Sequence, residues 1–170
     1  MAIREIRLYG DPVLREQATP VDVVDDDVRA IATDMLETLA DADGVGLAGP
    51  QVGVARRIIV VHAPPPERGE VREEPRVFLN PEIVSKSGPS VAEEEGCLSI
   101  PGIYESVKRS QRVSFRATDL DGGEVELEAE DMFSRILQHE VDHLDGVLFV
   151  DRIGPMRRAL LKKKLREFLE

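Results

Sequence analysis

The 170-residue sequence has few of the side chains that form disulfides or hold soft metals: one cysteine, Cys97, and three histidines. A single cysteine excludes an intrachain disulfide, and a lone cysteine is usually a small buried apolar residue. Long apolar runs are also lacking, and none approaches the roughly 20 residues of a transmembrane helix. The start, MAIREIRLYGDPVL, has neither a long apolar segment nor a small-residue cleavage site. We therefore expect a cytoplasmic protein without a secretory signal or membrane contact.

Basic side chains are also in deficit, 22 against 33 acidic ones, which gives a net charge of −11. So acidic a surface argues against general nucleic-acid binding, DNA included, by the body of the protein. Residues 155–170, PMRRALLKKKLREFLE, differ because six basic and two acidic side chains give them a local charge of +4. The rest of the chain therefore carries −15.

Apolar spacing predicts helices mixed with antiparallel strands. A helix should begin at 25–27, where three aspartates suit a helix N-terminus, and end near Gly44. β-Branched runs predict strands, and alternation on both sides of a glycine turn predicts a hairpin. The predicted strands are 57–61, 76–80 closed by Pro81, and the two arms around 121–123. The proline-rich residues 63–75 are expected to form an exposed loop.

The stretch QHEVDHLDG contains H-E-x-x-H, with His139 and His143 four residues apart and Glu140 after the first histidine. In a helix, four residues turn through about 400°, so both imidazoles project from one face. A hydrolytic metal site also needs a third protein ligand and an open position for water. The continuation H-E-x-x-H-x-x-G-x-x-H fails, because the last histidine is replaced by Phe149. The third ligand must lie elsewhere.

The second half of the chain predicts two more helices. We expect Asp131 to cap the helix that carries both histidines, and a last helix to begin at Pro155. No β-α-β alternation is present. The predicted fold class is therefore α+β, with antiparallel strands around a central metal-bearing helix and a C-terminal helix.

Few side chains could supply the third ligand. His62 ends a predicted strand, where a lone histidine is seldom a ligand, and nothing singles out Asp151 or Glu167 among the carboxylates. Cys97 stands between glycines in VAEEEGCLSIPG, where the backbone can approach a ligand closely. A thiolate and two imidazoles form a good site for a borderline metal. With no second cysteine to close it, such a site is open and catalytic.

A glycine-rich loop, GVGLAGPQVG at 44–53, matches the G-x-G-x-x-G of dinucleotide-binding proteins. That fingerprint follows a strand and opens a helix, whereas this loop follows a predicted helix and is interrupted by Pro50. We interpret it as a loop that presents backbone groups to an extended ligand, with Gln51 beside it.

Three stretches in order, GVGLAGPQ at 44–51, EGCLS at 95–99 and QHEVDHL at 138–144, resemble the peptide deformylases. These enzymes remove the N-formyl group from formyl-methionine at the start of nascent bacterial proteins and release formate. YGDPVLR, LNPEI and GVLFVDR extend the likeness over about the first 152 residues.

The resemblance implies a single catalytic domain at 1–152 and a C-terminal helical tail at 153–170, either part of that domain or packed on it. One departure is Gly49, where the family usually has alanine. We expect the missing methyl to loosen the loop and to leave Gln51 in register.

The metal centre is also implied by resemblance. Cys97, His139 and His143 would hold one divalent ion with water as the fourth ligand. The family typically uses Fe²⁺, and Zn²⁺, Ni²⁺ or Co²⁺ can replace it. The ligand set by itself suits zinc as well as iron.

Catalytic roles carried over from the family fall on three residues. Glu140 would take the proton of the water and deliver it to the departing amine. The Gln51 side-chain amide and the Leu98 backbone N–H would donate to the oxygen that gains negative charge.

The substrate implied is an N-formyl-Met nascent peptide, paired in extended form near Val45 and Gly46. Its methionine side chain needs an apolar pocket, for which Ile136 and the 96–98 segment (Gly96 to Leu98) are candidates. Simple core packing explains Ile136 equally well.

Two other functions stay open. A metallopeptidase would use the same H-E-x-x-H, and a non-catalytic relative would only bind metal or ribosomes. The basic tail could dock on ribosomal RNA phosphate, or it could be an amphipathic helix packed on the body with solvated lysines.

Overall fold

The computed structural model describes residues 2–63 and 74–169. Within these two ranges, three α-helices, four short 3₁₀ helices and five strands make up the fold, which is α+β as predicted. The helices are α1 (Asp26–Ala42), α2 (Asp131–Leu144) and α3 (Pro155–Arg166). The strands are β1 (Gly46–Ala48), β2 (Ile58–Val61), β3 (Arg76–Cys97), β4 (Ile100–Thr118) and β5 (Glu124–Glu130). Most of the loop predicted at 63–75 lies outside the described residues.

All five strands form one antiparallel sheet in the order β1-β2-β3-β4-β5. Strand β2 is buried along its whole length, and its alternate residues enter different clusters. Ile59 and Val61 pack with Leu137 of α2, whereas Ile58 and Val60 pack with Met35 of α1. One sheet therefore lies between α1 and α2, which explains why the β2 sequence is apolar on both faces.

Helix α2 is central, since it contacts all five strands. Its apolar side packs on the Phe78–Phe115 pair, whose ring centroids are 5.0 Å apart in an edge-to-face arrangement. Gly146 ends the helix with a φ of 74°, and a Cβ there would lie 2.7 Å from the Arg15 carbonyl. Only glycine therefore fits this close turn.

Helix α1 begins and ends close to the predicted positions. The Asp25 side chain caps it by accepting from the Val28 N–H at 2.9 Å. The left-handed Asp43, with a φ of 55°, ends it immediately before Gly44. The glycine loop follows at once, and its residues Gly46–Ala48 form β1.

Strand β3 differs from the prediction, because it does not end at Pro81. Pairing with β4 resumes after a register shift between Leu79 and Glu82, and Asn80 takes a φ of 49°. A proline has no N–H for the ladder, so it is tolerated at such a bulge. Residues 84–94 are mostly exposed and polar, which hid the rest of the strand from apolar periodicity. Cys97 ends β3 as a result.

The predicted cap of α2 is also corrected. Glu130 is the N-cap residue and makes no side-chain capping bond. Asp131 is the first helical residue, with a φ of 53°, and its carboxylate accepts instead from the Gln111 side chain at 3.4 Å.

Helix α3 begins at Pro155 as predicted. Leu161 and Leu165 are buried in a cluster with Leu148 and Val150, so the tail packs on the body. The division into 1–152 and 153–170 stays a prediction. Within the described ranges, we find no helix with the length and apolarity that crossing a membrane requires.

Candidate metal centre and active site

Two of the three histidines and the only cysteine meet at one point. Ligand atoms of Cys97, His139 and His143 all lie within 4.8 Å of one another. The Cys97 Sγ is 3.4 Å from the His143 Nε2, and the two imidazole centroids are 5.0 Å apart. Helix α2 presents both rings on one face, and the end of β3 brings the thiol to them. This is the group that the sequence predicted.

These donors fit a divalent cation. Buried in the same place are the Glu140 Oε1 and the His143 Nδ1, which find no hydrogen-bond partner within the described residues. One sulfur and two imidazole nitrogens are a ligand set that borderline metals prefer. Burial, with the nearby His139, holds the pKa of His143 well below its usual value, so this imidazole is neutral with a free lone pair.

Glu95 holds the other imidazole and was missed as a functional residue by the sequence analysis. The Glu95 Oε1 lies 2.8 Å from the Nδ1 of His139. Although burial opposes ionisation, hydrogen bonds from His139 and Arg109 keep the pKa of Glu95 far below its usual range. The carboxylate therefore accepts, Nδ1 carries the proton, and Nε2 is left to a metal.

Two buried arginines clamp Glu95 in place. Arg109 donates to its two oxygens at 2.9 and 3.0 Å, and Arg135 donates at 2.6 Å. Arg109 also donates to Asp142 at 2.6 Å, and Asp142 accepts from Arg152 at 2.9 Å. Together these pairs satisfy the charges of Glu95, Arg109 and Asp142, and they tie β3, β4 and α2 into one rigid support.

Protonation of the centre follows from its burial. Burial raises the pKa of Glu140 to about 7, and the charge of His139 opposes that rise. Burial lowers the pKa of His139, but hydrogen bonds to Cys97 and Glu95 outweigh it and leave the pKa well above the usual value. A cation must therefore displace a proton to bind His139.

Gly46 makes room for Glu140. A Cβ on Gly46 would lie 2.6 Å from the Glu140 Oε2, so a larger residue would push the carboxylate away. Glu140 is 4% exposed, on the same helix as the two histidines. The position of Glu140 beside β1 therefore depends on Gly46, which belongs to the loop that the sequence analysis predicted to face a ligand.

Gln51 faces the same centre from a 3₁₀ turn, Gly49–Val52. Its Oε1 accepts from the Ala48 N–H at 3.0 Å, which orients the amide. Its Nε2 donates to the Ser99 Oγ at 3.1 Å and lies 3.5 Å from the Cys97 Sγ. Ser99, which is fully buried, is a second partner that the sequence did not predict.

A cavity of about 420 Å³ opens beside these groups. All the predicted catalytic and substrate-binding residues line it: Val45, Gly46, Gln51, Gly96, Leu98, Ile136 and Glu140. Ile136 belongs both to this cavity and to a core cluster, so the two alternatives for it do not exclude each other. Tyr104, which is exposed and covers Gly96, and Met132 line it too.

Candidates that the sequence analysis set aside stay outside the centre. His62 is buried directly after the end of β2, and its backbone N–H donates to the Val45 carbonyl. Asp151 accepts from Arg15 and Arg158 instead. Phe149 occupies the position of the missing histidine and stacks on His139, with 6.3 Å between ring centroids.

Of the two expectations for Gly49, the looser loop was wrong, whereas Gln51 does face the metal-ligand group. A Cβ there would lie 2.7 Å from the carbonyl oxygens of both Val54 and Arg56. These are backbone atoms that cannot rotate away, so the missing methyl does not loosen the loop. Its place is filled by the chain of residues 54–56.

The chain is similar in sequence and in fold to known proteins. The polypeptide deformylase family profile matches residues 3–159. The peptide deformylase of Alkalilimnicola ehrlichii is 48% identical over 169 residues, which cover 99% of this chain and 92% of that protein. A peptide deformylase structure from Legionella pneumophila is 41% identical with a TM-score of 0.86, covering 98% and 95% of the two chains. One from Ehrlichia chaffeensis is 34% identical with a TM-score of 0.88, covering 97% and 96%.

Proposed function

The chain belongs to the peptide deformylase family, and from that premise we propose a role for each residue of its metal centre. The protein is a metal-dependent hydrolase that removes the formyl group from the N-terminal formyl-methionine of nascent proteins and releases formate. The observation that carries the residue roles is the meeting of Cys97, His139 and His143 beside the buried Glu140.

The metal is one divalent ion held by the Cys97 Sγ and by one nitrogen from each of the two histidines. Fe²⁺ is our choice because of the family, with Zn²⁺, Ni²⁺ or Co²⁺ as replacements. When bound, such an ion makes a water molecule acidic enough to act as a nucleophile near neutral pH. Glu95, through Nδ1 of His139, keeps that ring turned toward the ion.

Glu140 moves the proton. Its Oε1 has no partner within the described residues, and Gly46 lets its Oε2 approach β1 closely. A carboxylate in this position accepts the proton of the attacking water and returns it to the amine that leaves. Because it follows a metal ligand on the helix without being one, metal binding does not require it.

Gln51 and Leu98 act on the formyl oxygen. The Gln51 amide is fixed at its Oε1, so its N–H groups are aimed before substrate arrives. As the carbonyl becomes tetrahedral, the Gln51 side chain and the Leu98 N–H donate to the developing negative charge. One donor of this kind contributes about 2.7–4 kcal/mol to lowering the barrier.

The substrate peptide lies in extended form between the Val45–Gly46 edge and Gly96. Among the described strands β1 is at the edge of the sheet, so a further strand can be added beside Gly46; the Ala48 N–H is already bonded to Gln51. The methionine side chain enters the 420 Å³ cavity against Ile136. In support, the lining of this cavity is mostly apolar, as a methionine side chain requires.

We place the protein in the cytoplasm, on the ribosome, where nascent chains emerge. The tail offers a basic face, because Lys162, Lys163, Lys164 and Arg166 form no ion pair with any residue that the structure describes. Arg157 and Arg158 are instead held by Glu105 and Asp151. Phosphate on ribosomal RNA is the partner that suits this face. An amphipathic helix that merely packs on the body remains the alternative.

A formate-release assay tests the assignment. The protein is purified without oxygen, its metal is quantified, and formyl-Met-Ala-Ser is compared with an unblocked peptide that offers only internal peptide bonds. The proposal expects formate from the first, no cleavage of the second, and a Glu140→Gln variant that keeps its metal but loses orders of magnitude in rate. Cleavage of the unblocked peptide would favour a metallopeptidase, and metal binding without either reaction would favour a non-catalytic relative.

A further inference from the structure

The N-terminal segment, residues 2–11, crosses behind the active site and contacts two of its turns. The Arg7 N–H donates to the Gln51 carbonyl at 2.7 Å, and the Tyr9 N–H donates to the Ser99 carbonyl at 2.8 Å. Gln51 belongs to the turn after β1, and Ser99 to the turn between β3 and β4. One short piece of chain therefore links two turns that are 48 residues apart in sequence.

These two turns carry the groups that act on the formyl oxygen. Ser99 follows Cys97 and Leu98 directly, so moving Ser99 also moves a metal ligand and an amide donor. The turns are also joined directly by the Gln51 Nε2, which donates to the Ser99 Oγ at 3.1 Å. The same two residues are thus joined twice, once by their side chains and once by the N-terminal segment that bonds both carbonyls.

The link through the N-terminal segment is short, because only Leu8 lies between the two donors. A change in the distance between the Gln51 and Ser99 carbonyls must therefore be taken up by this short stretch of chain or break one of the two bonds. The segment is also held at its start, where the Ala2 N–H donates to Asp34 at 2.8 Å and the Arg4 N–H donates to Thr38 at 2.9 Å. At its end, the Tyr9 ring packs edge-on against Phe168.

We propose that the backbone N–H groups of Arg7 and Tyr9 position the Gln51 turn against the Cys97–Ser99 turn for catalysis. The inference rests on the roles proposed above for Gln51 and Leu98. Arg7 and Tyr9 do not themselves line the cavity or belong to the metal-ligand group, so they are positioning residues that act through Gln51 and Ser99. A misplacement of an ångström in such a pair costs up to about 100-fold in rate.

Substitutions that remove the N–H of Arg7 or Tyr9, each paired with a control that keeps it, test this inference. Arg7→Pro loses the donor, and Arg7→Ala is its control because it loses the same side chain but keeps the donor. In a second pair, Tyr9 is replaced by its α-hydroxy acid, which turns the amide into an ester and keeps the ring. The control is the same change at Leu8, whose N–H has no acceptor within the described residues. If Arg7→Pro fails to fold, the comparison of the ester variants at Tyr9 and Leu8 tests the inference in its place.

Three readouts on the full-length, metal-loaded protein separate positioning from a general structural role. We expect kcat to fall about tenfold in the donor-less variants, while KM and bound metal stay within twofold of the controls. In the Gln51→Ala background, the loss of the donor should lower kcat by less than it does in the wild type, because only the effect through Leu98 is left. With ¹⁵N-glutamine labelling, the side-chain amide signal of Gln51 should shift in Arg7→Pro and not in Arg7→Ala.

A donor-less variant with normal kcat, or one whose loss persists unchanged in the Gln51→Ala background, overturns the inference. So does a Gln51 amide signal that stays in place. The NMR readout needs no turnover, so it still reports if the wild-type protein releases no formate. An absence of formate release would contradict the proposed function, and the NMR result would still test the positioning by Arg7 and Tyr9.

Discussion

The Nδ1 of His139 and the Oε1 of Glu95 lie 2.8 Å apart, in a place where both side chains are almost fully buried. The carboxylate fixes which nitrogen of the ring carries the proton, and hence which nitrogen can bind a metal. Beside the three proposed metal ligands, Glu95 is therefore a fourth side chain that we expect metal binding to depend on, although it does not belong to the ligand group.

We expect Glu95→Gln to weaken metal binding about 10- to 100-fold, because the amide holds the ring less firmly and lowers its basicity. Competition with a chelator measures the affinity. Glu94→Gln, an exposed neighbour, serves as the control and should bind metal normally. An unchanged affinity in Glu95→Gln would show that packing alone orients His139.

Cys97→Ala and His143→Ala should each lose metal and activity together, because two remaining ligands hold a divalent ion poorly. Metal content after gel filtration is the measurement. His62→Ala should keep its metal, since His62 lies away from the centre. If Cys97→Ala retained stoichiometric metal at full affinity, another side chain would have to be the third ligand.

Gln51→Ala should lower kcat by about 10²–10³ with little change in metal content, since the lost donor acts on charge that develops during the reaction. Steady-state kinetics on formyl-Met-Ala-Ser measure it, with the exposed Gln17→Ala as control. A raised KM with normal kcat would instead make Gln51 a substrate-binding residue.

Gly49→Ala should destabilise the protein even though alanine is usual in the family. The added Cβ meets two backbone carbonyls at 2.7 Å, so the turn that carries Gln51 must shift. We expect a melting temperature lower by about 5 °C and a lower kcat. Gly154→Ala is the matched control, because a Cβ at that site meets nothing within 4 Å. Equal melting temperatures for the two variants would contradict the steric argument.

Reversing Lys162, Lys163 and Lys164 to glutamate should weaken salt-sensitive binding to purified ribosomes without changing formate release from a short peptide. Charge reversal is preferable to deletion of the tail, which would expose the buried Leu161 and Leu165.

Sedimentation at low and high salt measures the binding. The control reverses Lys86, Lys108 and Arg112 instead, which are exposed on the β3–β4 hairpin and change the net charge equally. Equal pelleting of both variants and the wild type would remove the docking proposal.

The sequence by itself determined the parts of the site that depend on local geometry. Four residues of helix put His139 and His143 on one face wherever that helix packs. The scarcity of cysteine and histidine left Cys97 as the strongest third ligand from residues alone, and the family motifs agreed. Helix ends at Asp25 and Pro155 also followed from local capping rules, as did the hairpin around 121–123.

Only the tertiary structure decided which of the 33 acidic residues supports His139. In the sequence, Glu95 is one carboxylate among many. In the structure, β3 continues past Pro81, and its pairing with β4 brings Arg109 beside Glu95. The bond from the Arg7 N–H to the Gln51 carbonyl is likewise a contact between distant segments, and the close approach of residues 54–56 to Gly49 is set by how the turn packs. Such contacts leave no periodic signal, because they are set by how strands and turns pack and not by the residues that precede and follow them.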